Sequence, residues 1–209
     1  MHMIWRWVFL MGMIMGVTLY ASARTHSDTM AIHSGDIIFQ DSKSSQAKAI
    51  KLATHSQYSH MGILYIKGDK VYVYEASATV RMTALKKWID RGVGKHFVIK
   101  RLKNDKILTA KNLREMQRIG RTFKGHKYDT LFGWGDRKIY CSELVWKIYK
   151  RALGIKIGKL KKLRSFDLSH PVVKAKLRER YGANIPLNEK VISPQDMFDS
   201  SSLFTTYIR

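Results

Sequence analysis

Two apolar runs, HMGILYI (His60–Ile66) and VYVYEAS (Val71–Ser77), flank the short segment Lys67-Gly68-Asp69-Lys70. Gly68-Asp69 is a good two-residue hairpin turn, because its residues tolerate the left-handed backbone that a tight connection requires. A turn at that position sets the register. Ile66 faces Val71, Leu64 faces Val73, Gly62 faces Glu75 and His60 faces Ser77. Side chains alternate along a strand, so these eight share one side of the sheet. Met61, Ile63, Tyr65, Tyr72 and Tyr74 take the other side. Both sides are apolar, so both are predicted to be covered by other layers of the protein.

The remaining pattern supplies those layers. Gly35-Asp36 is a turn signal running into a short strand, Ile37–Gln40, and Phe97–Ile99 reads as another strand. Residues 44–54 fit a helix capped by Ser44 or Ser45. Residues 109–123 fit a second helix, with Leu113, Met116, Ile119, Gly120 and Phe123 on its inner stripe. Glycine and aromatic residues fill 125–135, which reads as a loop, and a third helix starts at Cys141. Two more are predicted around 171–180 and 194–199, where Pro171 and Pro194 suit first-turn positions. No internal repeat or low-complexity linker interrupts the chain.

The chain opens with a head carrying one charge, Arg6, then an apolar run, Trp7–Tyr20, then Ala21-Ser22-Ala23. This is the layout of a secretory signal with a small-x-small cleavage site. The run is short for a bilayer-spanning helix, which needs ~20 residues. Residues 1–23 are therefore predicted to be a cleaved signal peptide. Residues 24–209 are predicted to form one periplasmic or secreted domain. Lys and Arg number 38 against 16 Asp and Glu, a formal net charge of +22. In an exported chain that excess points to an anionic envelope surface, lipid headgroups or wall polymers, and no nucleic acid is expected. The charge is spread along the chain, as on a solvated face, apart from the cluster Lys156–Arg164.

Cys141 is the sole cysteine. In an oxidising compartment it has no partner in its own chain, so it is an intermolecular crosslink, an inert buried residue or a reactive thiol. Cys141, Leu144, Val145, Ile148, Tyr149 and Ala152 follow the spacing of a buried helical stripe, which places the sulfur in the first turn. Free backbone N–H groups and the positive end of the helix dipole lie there, and they favour thiolate, the nucleophilic form. A reactive thiol also needs a base and a group to orient it. His60 and Glu75 lie diagonally on one sheet face, with Cβ atoms ~7–8 Å apart in the register above. A buried histidine alone is commonly a core residue. A buried glutamate beside it requires a partner, and the pair argues for chemistry more than either residue does. His26, His33, His55, His96, His126 and His170 show no metal-ligand spacing, and no serine elbow or phosphate-binding glycine loop is present.

GDIIFQ (35–40), ATHSQYSHMGIL (53–64), VYVYEA (71–76), KYDTLFGW (127–134) and YCSELVWKIY (140–149) together resemble the YiiX/YebB-like cysteine hydrolases, from about residue 33 onward. These belong to the circularly permuted branch of the NlpC-type, papain-like superfamily. The resemblance implies an α+β, permuted papain-like fold, with an antiparallel sheet packed against a Cys-bearing helix. The catalytic core would span about 33–155, and 156–209 would form a basic helical shell. It also implies Cys141 as nucleophile, His60 as base and Glu75 as third member. Tyr140, Ser142, Tyr58 and Asp36 are supporting candidates: Tyr140 or Tyr58 for the oxyanion, Asp36 for catalysis or only for shaping the strand start. No metal and no cofactor is implied. The expected activity is amide hydrolysis, with cell-wall peptides as the first candidate substrate. Lipid-ester hydrolysis or acyl transfer of the lecithin:retinol acyltransferase type is the first alternative, and a non-catalytic basic binding module is the second.

Overall fold

In the computed structural model, which describes residues 30–209, the hairpin is the middle of a six-stranded sheet. The signal-peptide reading of residues 1–23 lies outside the described residues. In chain order the elements are β1 (Ile37–Ser42), α1 (Ala47–Thr54), β2 (His60–Lys67), β3 (Lys70–Ala76), β4 (Val80–Ala84), α2 (Leu85–Asp90) and β5 (Gly92–Leu102). There follow α3 (Ala110–Thr122), β6 (Lys127–Tyr128), β7 (Lys138–Ile139), α4 (Cys141–Leu153), β8 (Lys161–Lys162), α5 (Pro171–Tyr181), β9 (Lys190–Val191), α6 (Pro194–Phe198) and β10 (Leu203–Ile208). The main sheet is antiparallel throughout, in the order β10-β5-β1-β2-β3-β4.

The hairpin register is the one the turn residues dictate, with Ile66 opposite Val71 and Leu64 opposite Val73. Gly68 takes φ +60° in the turn. Both faces are covered. Ile37, Phe39, Met61, Ile63, Tyr65 and Tyr74 pack against the apolar side of α4. Ile38, Leu64, Val73, Phe97 and Ile99 close over Trp88 of α2 on the opposite face. Gly62 sits where a Cβ would lie 2.4 Å from the Val73 side chain and 2.7 Å from the Tyr74 carbonyl oxygen. Its absent side chain therefore serves close strand packing as well as leaving room near His60. At Gly120 of α3 a Cβ would lie 3.1 Å from the Tyr74 ring, whose hydroxyl donates to the Gly120 carbonyl at 2.6 Å.

Several features depart from the sequence reading, the first being α1, whose N-cap is Gln46, without a side-chain capping bond, rather than Ser44 or Ser45. The strand expected at 97–99 runs from Gly92 to Leu102, long enough to pair β1 on one side and β10 on the other. The stretch between Val80 and Asp90 holds β4 and α2, which the pattern did not separate. The segment 156–209 contains its two expected helices, but it also contributes β10 to the main sheet and the small β8–β9 pair. Only Leu203 of β10 is buried, so the strand carries little of the apolar alternation that marks a strand in sequence. The loop at 125–135 includes β6, held parallel to β7 directly before α4.

Candidate active site

The site is assembled where α4 begins. Cys141 through Tyr149 are all buried, so this helix is enclosed rather than merely amphipathic. The Tyr149 hydroxyl donates to the Gly35 carbonyl and ties the helix to the turn that opens β1. Its first turn is thereby held over the start of β2, where His60 is the first residue. Cys141 is 2% exposed. Its neighbours are the His60 imidazole and the Ser142 and Met61 backbone N–H groups, which act on the thiol electrostatically.

Behind the imidazole, His60 Nε2 meets Glu75 Oε2 at 2.6 Å. Nε2 is thus engaged by the carboxylate, which leaves Nδ1 as the ring nitrogen without that partner. The ring also stacks on Trp88, with centroids 5.9 Å apart. Glu75 is fully buried but well supplied with donors. Its Oε1 accepts from Thr83 Oγ1 at 2.6 Å and from Arg91 Nη2. Burial alone would raise the Glu75 pKa, but His60, Thr83 and Arg91 hold it down to about 2. Burial would lower the His60 pKa, but the neighbouring sulfur and carboxylate lift it to about 9. Burial would raise the Cys141 thiol, but His60 and the two N–H groups bring it below its ordinary value. The arrangement favours the thiolate–imidazolium pair over the neutral one, backed by an ionised carboxylate.

The structure brings Cys141, His60 and Glu75 together and commits the side chains of the other sequence candidates to other partners. The Tyr140 hydroxyl accepts from the Ile192 N–H at 3.1 Å, and Ser142 Oγ donates to the Ile192 carbonyl at 2.8 Å. Both hydroxyls therefore brace the helix start against the segment before α6. Tyr58 stacks on Phe198 and His96. Asp36 is buried against Arg101, accepting from Nε at 2.7 Å and Nη2 at 2.9 Å, and it also accepts from the His33 N–H at 2.8 Å. That is a framework role at the start of β1. Glu143, in the first turn of α4, is raised to about 7 by burial despite its ion pair with Lys147.

Tyr128 was not singled out from the sequence as a site residue, although it stands in the KYDTLFGW stretch. Burial, and then the charge of the neighbouring Cys141, push its hydroxyl well above the ordinary pKa. Arg180 is a pure donor, so Gln46 Oε1, 2.6 Å from Arg180 Nη2, must be the acceptor. Gln46 Nε2 then donates to the Tyr128 oxygen at 2.9 Å, which directs the tyrosine's own proton elsewhere. Two cavities meet at Tyr128. A broad cleft of about 910 Å³ has many polar and charged residues around it, among them His60, Tyr128, Lys43, Asp90, Glu179 and Arg180. A narrow apolar slot of about 80 Å³ reaches Cys141 past Ile50, Ala53, Phe132, Phe166 and Leu177. Among the described residues, no group of three or more His, Cys, Asp or Glu side chains is placed to hold a metal ion.

Known proteins resemble this chain over most of its length. A family model described as the permuted papain-like amidase enzymes, YaeF/YiiX, C92 family, matches residues 31–207. Protein YiiX of Escherichia coli (strain K12) is 49% identical over 171 residues, covering 82% of this chain and 84% of that protein. A crystal structure of YiiX from Escherichia coli O157:H7, described there as a metalloprotein, aligns with a TM-score of 0.81 at 47% identity. That alignment covers 85% of this chain and 97% of the other.

Proposed function

Given that the chain belongs to the permuted papain-like amidases of the YaeF/YiiX type, and is therefore a cysteine hydrolase, we propose that Cys141, His60 and Glu75 are its catalytic triad and that it cleaves amide bonds in cell-wall peptides after export. The observation that carries this reading is the position of His60, bonded through Nε2 to a buried carboxylate and neighbouring a buried thiol. The Cys141 thiolate attacks the amide carbonyl carbon and forms a C–S bond. The oxyanion is received by N–H groups at the start of α4 and by the Tyr128 hydroxyl. As the C–N bond breaks, the imidazolium of His60 gives its proton to the leaving amine. Neutral His60 then takes a proton from water, hydroxide attacks the thioester, and the acid and the thiolate–imidazolium pair are regenerated. Glu75 holds the ring in place and stabilises its charged form. Arg91 and Thr83 keep that carboxylate ionised.

The Escherichia coli O157:H7 relative is described as a metalloprotein, but among the described residues of this chain no group of three or more His, Cys, Asp or Glu side chains is placed to hold a metal ion. Glu75 is spent behind the imidazole, and the thiol and one ring nitrogen are too few for a closed metal site. Export rests on the motif in residues 1–23, and an anionic envelope surface is the partner proposed from the net charge of +22.

The test is digestion of purified muropeptides and of phospholipid vesicles by the protein and by Cys141→Ala. New amines from muropeptides, absent with the variant, are expected. Fatty acid released from vesicles with no muropeptide cleavage would replace this reading with the lipid one.

A further inference from the structure

The two cavities differ in polarity, and the catalytic dyad is split between them. His60 lines the broad cleft and Cys141 lines the apolar slot. In thiol acyl transfer the acyl group stays on sulfur, while the leaving amine is the group that the imidazolium must protonate. The slot therefore lies on the acyl side and the cleft on the amine side. This assignment rests on the hydrolase reading above.

The cleft wall carries an uncompensated cation. Among the cleft acids, Glu179 is paired with Lys176 at 2.5 Å, and Asp90 with Lys86 at 2.8 Å and Lys95 at 3.3 Å. Arg91 is committed to Glu75. Asp129, close to Arg180, accepts from the Leu131 and Gly133 N–H groups, both at 2.9 Å. Arg180 is half-buried and held in place by Gln46, with its guanidinium over the Phe132 ring at 4.8 Å. It has no carboxylate in ion-pair contact among the described residues. A fixed, partly desolvated guanidinium is a preferred receptor for a carboxylate or phosphate. The slot is small and its exposed wall is almost wholly apolar, which suits a short apolar group.

We propose that the substrate is a short apolar acyl group joined by an amide bond to an amine bearing an anionic group, with the acyl part in the slot beside Cys141 and the anion on Arg180. Cleavage transfers the acyl group from nitrogen to sulfur, the amine leaves with the His60 proton, and water releases the acid.

The test compares N-butyrylglycine, N-butyryl-O-phosphoethanolamine and the neutral N-butyrylglycinamide, with intact mass recording butyryl transfer to Cys141 from p-nitrophenyl butyrate. Cleavage of at least one anionic amide faster than the neutral one, on the order of tenfold in kcat/KM, is expected for a charged hydrogen bond to Arg180. The faster of the two anions identifies the carboxylate or the phosphate as the group recognised. Arg180→Gln is expected to collapse the anion-to-neutral ratio toward one, mainly through KM. Arg180→Lys is expected to restore part of it, which a loss of folding would not do. Ala53→Phe is expected to slow acylation by the butyryl ester more than by the acetyl ester. Equal cleavage of anionic and neutral amides overturns this inference and leaves the hydrolase reading standing. Absence of both acylation and cleavage overturns the two together.

Discussion

At the residue scale, the central fact is one imidazole shared between a sulfur and a carboxylate. With the thiol held below its ordinary pKa and His60 raised to about 9, the reactive ion pair exists between those two values. Alkylation of Cys141 by iodoacetamide is therefore expected to show an inflection below the ~8.5 of a free thiol, and stopped-flow or mass-spectrometric rates against pH will read it. Amide turnover, which also needs the imidazolium, is expected to fall again near pH 9. Glu75→Gln removes the charge that supports the ring. Its kcat is expected to drop on the order of 10²-fold or more, with the alkaline limb moving to lower pH. Glu75 also links folding to acid. Its folded pKa of about 2 lies below the ordinary 4.5, so its contribution is complete above pH 4.5 and is lost as pH falls toward 2. Much of this site was legible in the residues. A lone cysteine at a helix start and a glutamate diagonal to a histidine on an apolar sheet face are costly features without a purpose. Arg91, Thr83 and Tyr128 were not legible. They reach the site through the α2–β5 connection, β4 and a glycine-rich loop, whose placement no local periodicity encodes.

At the scale of elements, the hairpin shows how far local chemistry reaches. Gly68-Asp69 sets the register, the register aligns His60 with Glu75, and the alternation of large apolar side chains settles which layers cover each face. Gly62→Ala tests the closeness of that packing. Its new methyl meets Val73 and the Tyr74 carbonyl, so a loss of about 1–3 kcal/mol in chemical denaturation is expected. A loss of activity larger than the loss of stability would show that the hairpin also aims His60. The helices were readable because capping residues and apolar stripes coincide, as at Thr109, whose side chain accepts from the Asn112 N–H at 3.2 Å. Strands β4 and β10 were not readable. Their exposed residues outnumber or rival their buried ones, and each is a strand only because a neighbour offers it a ladder.

At the scale of the whole molecule, the excess of positive charge surrounds a site whose own acids are nearly all paired. Association with vesicles containing anionic lipid is expected to weaken steeply between low and physiological salt, and co-sedimentation will measure it. Salt-independent binding would point instead to an apolar contact. The sheet itself is stitched from distant parts of the chain. Leu203 through Ile208 pair with Leu102 through Val98, about a hundred positions earlier. During synthesis, the thiol, the imidazole and the carboxylate have all left the ribosome well before β5 receives its outer neighbour. Until residue 208 arrives, β5 presents an open row of backbone donors and acceptors, to which a strand from another molecule can bind. Closing so long a loop is also slow. The final strand thus acts as a late seal, and the span before it docks is when a nascent chain is most exposed to misassembly.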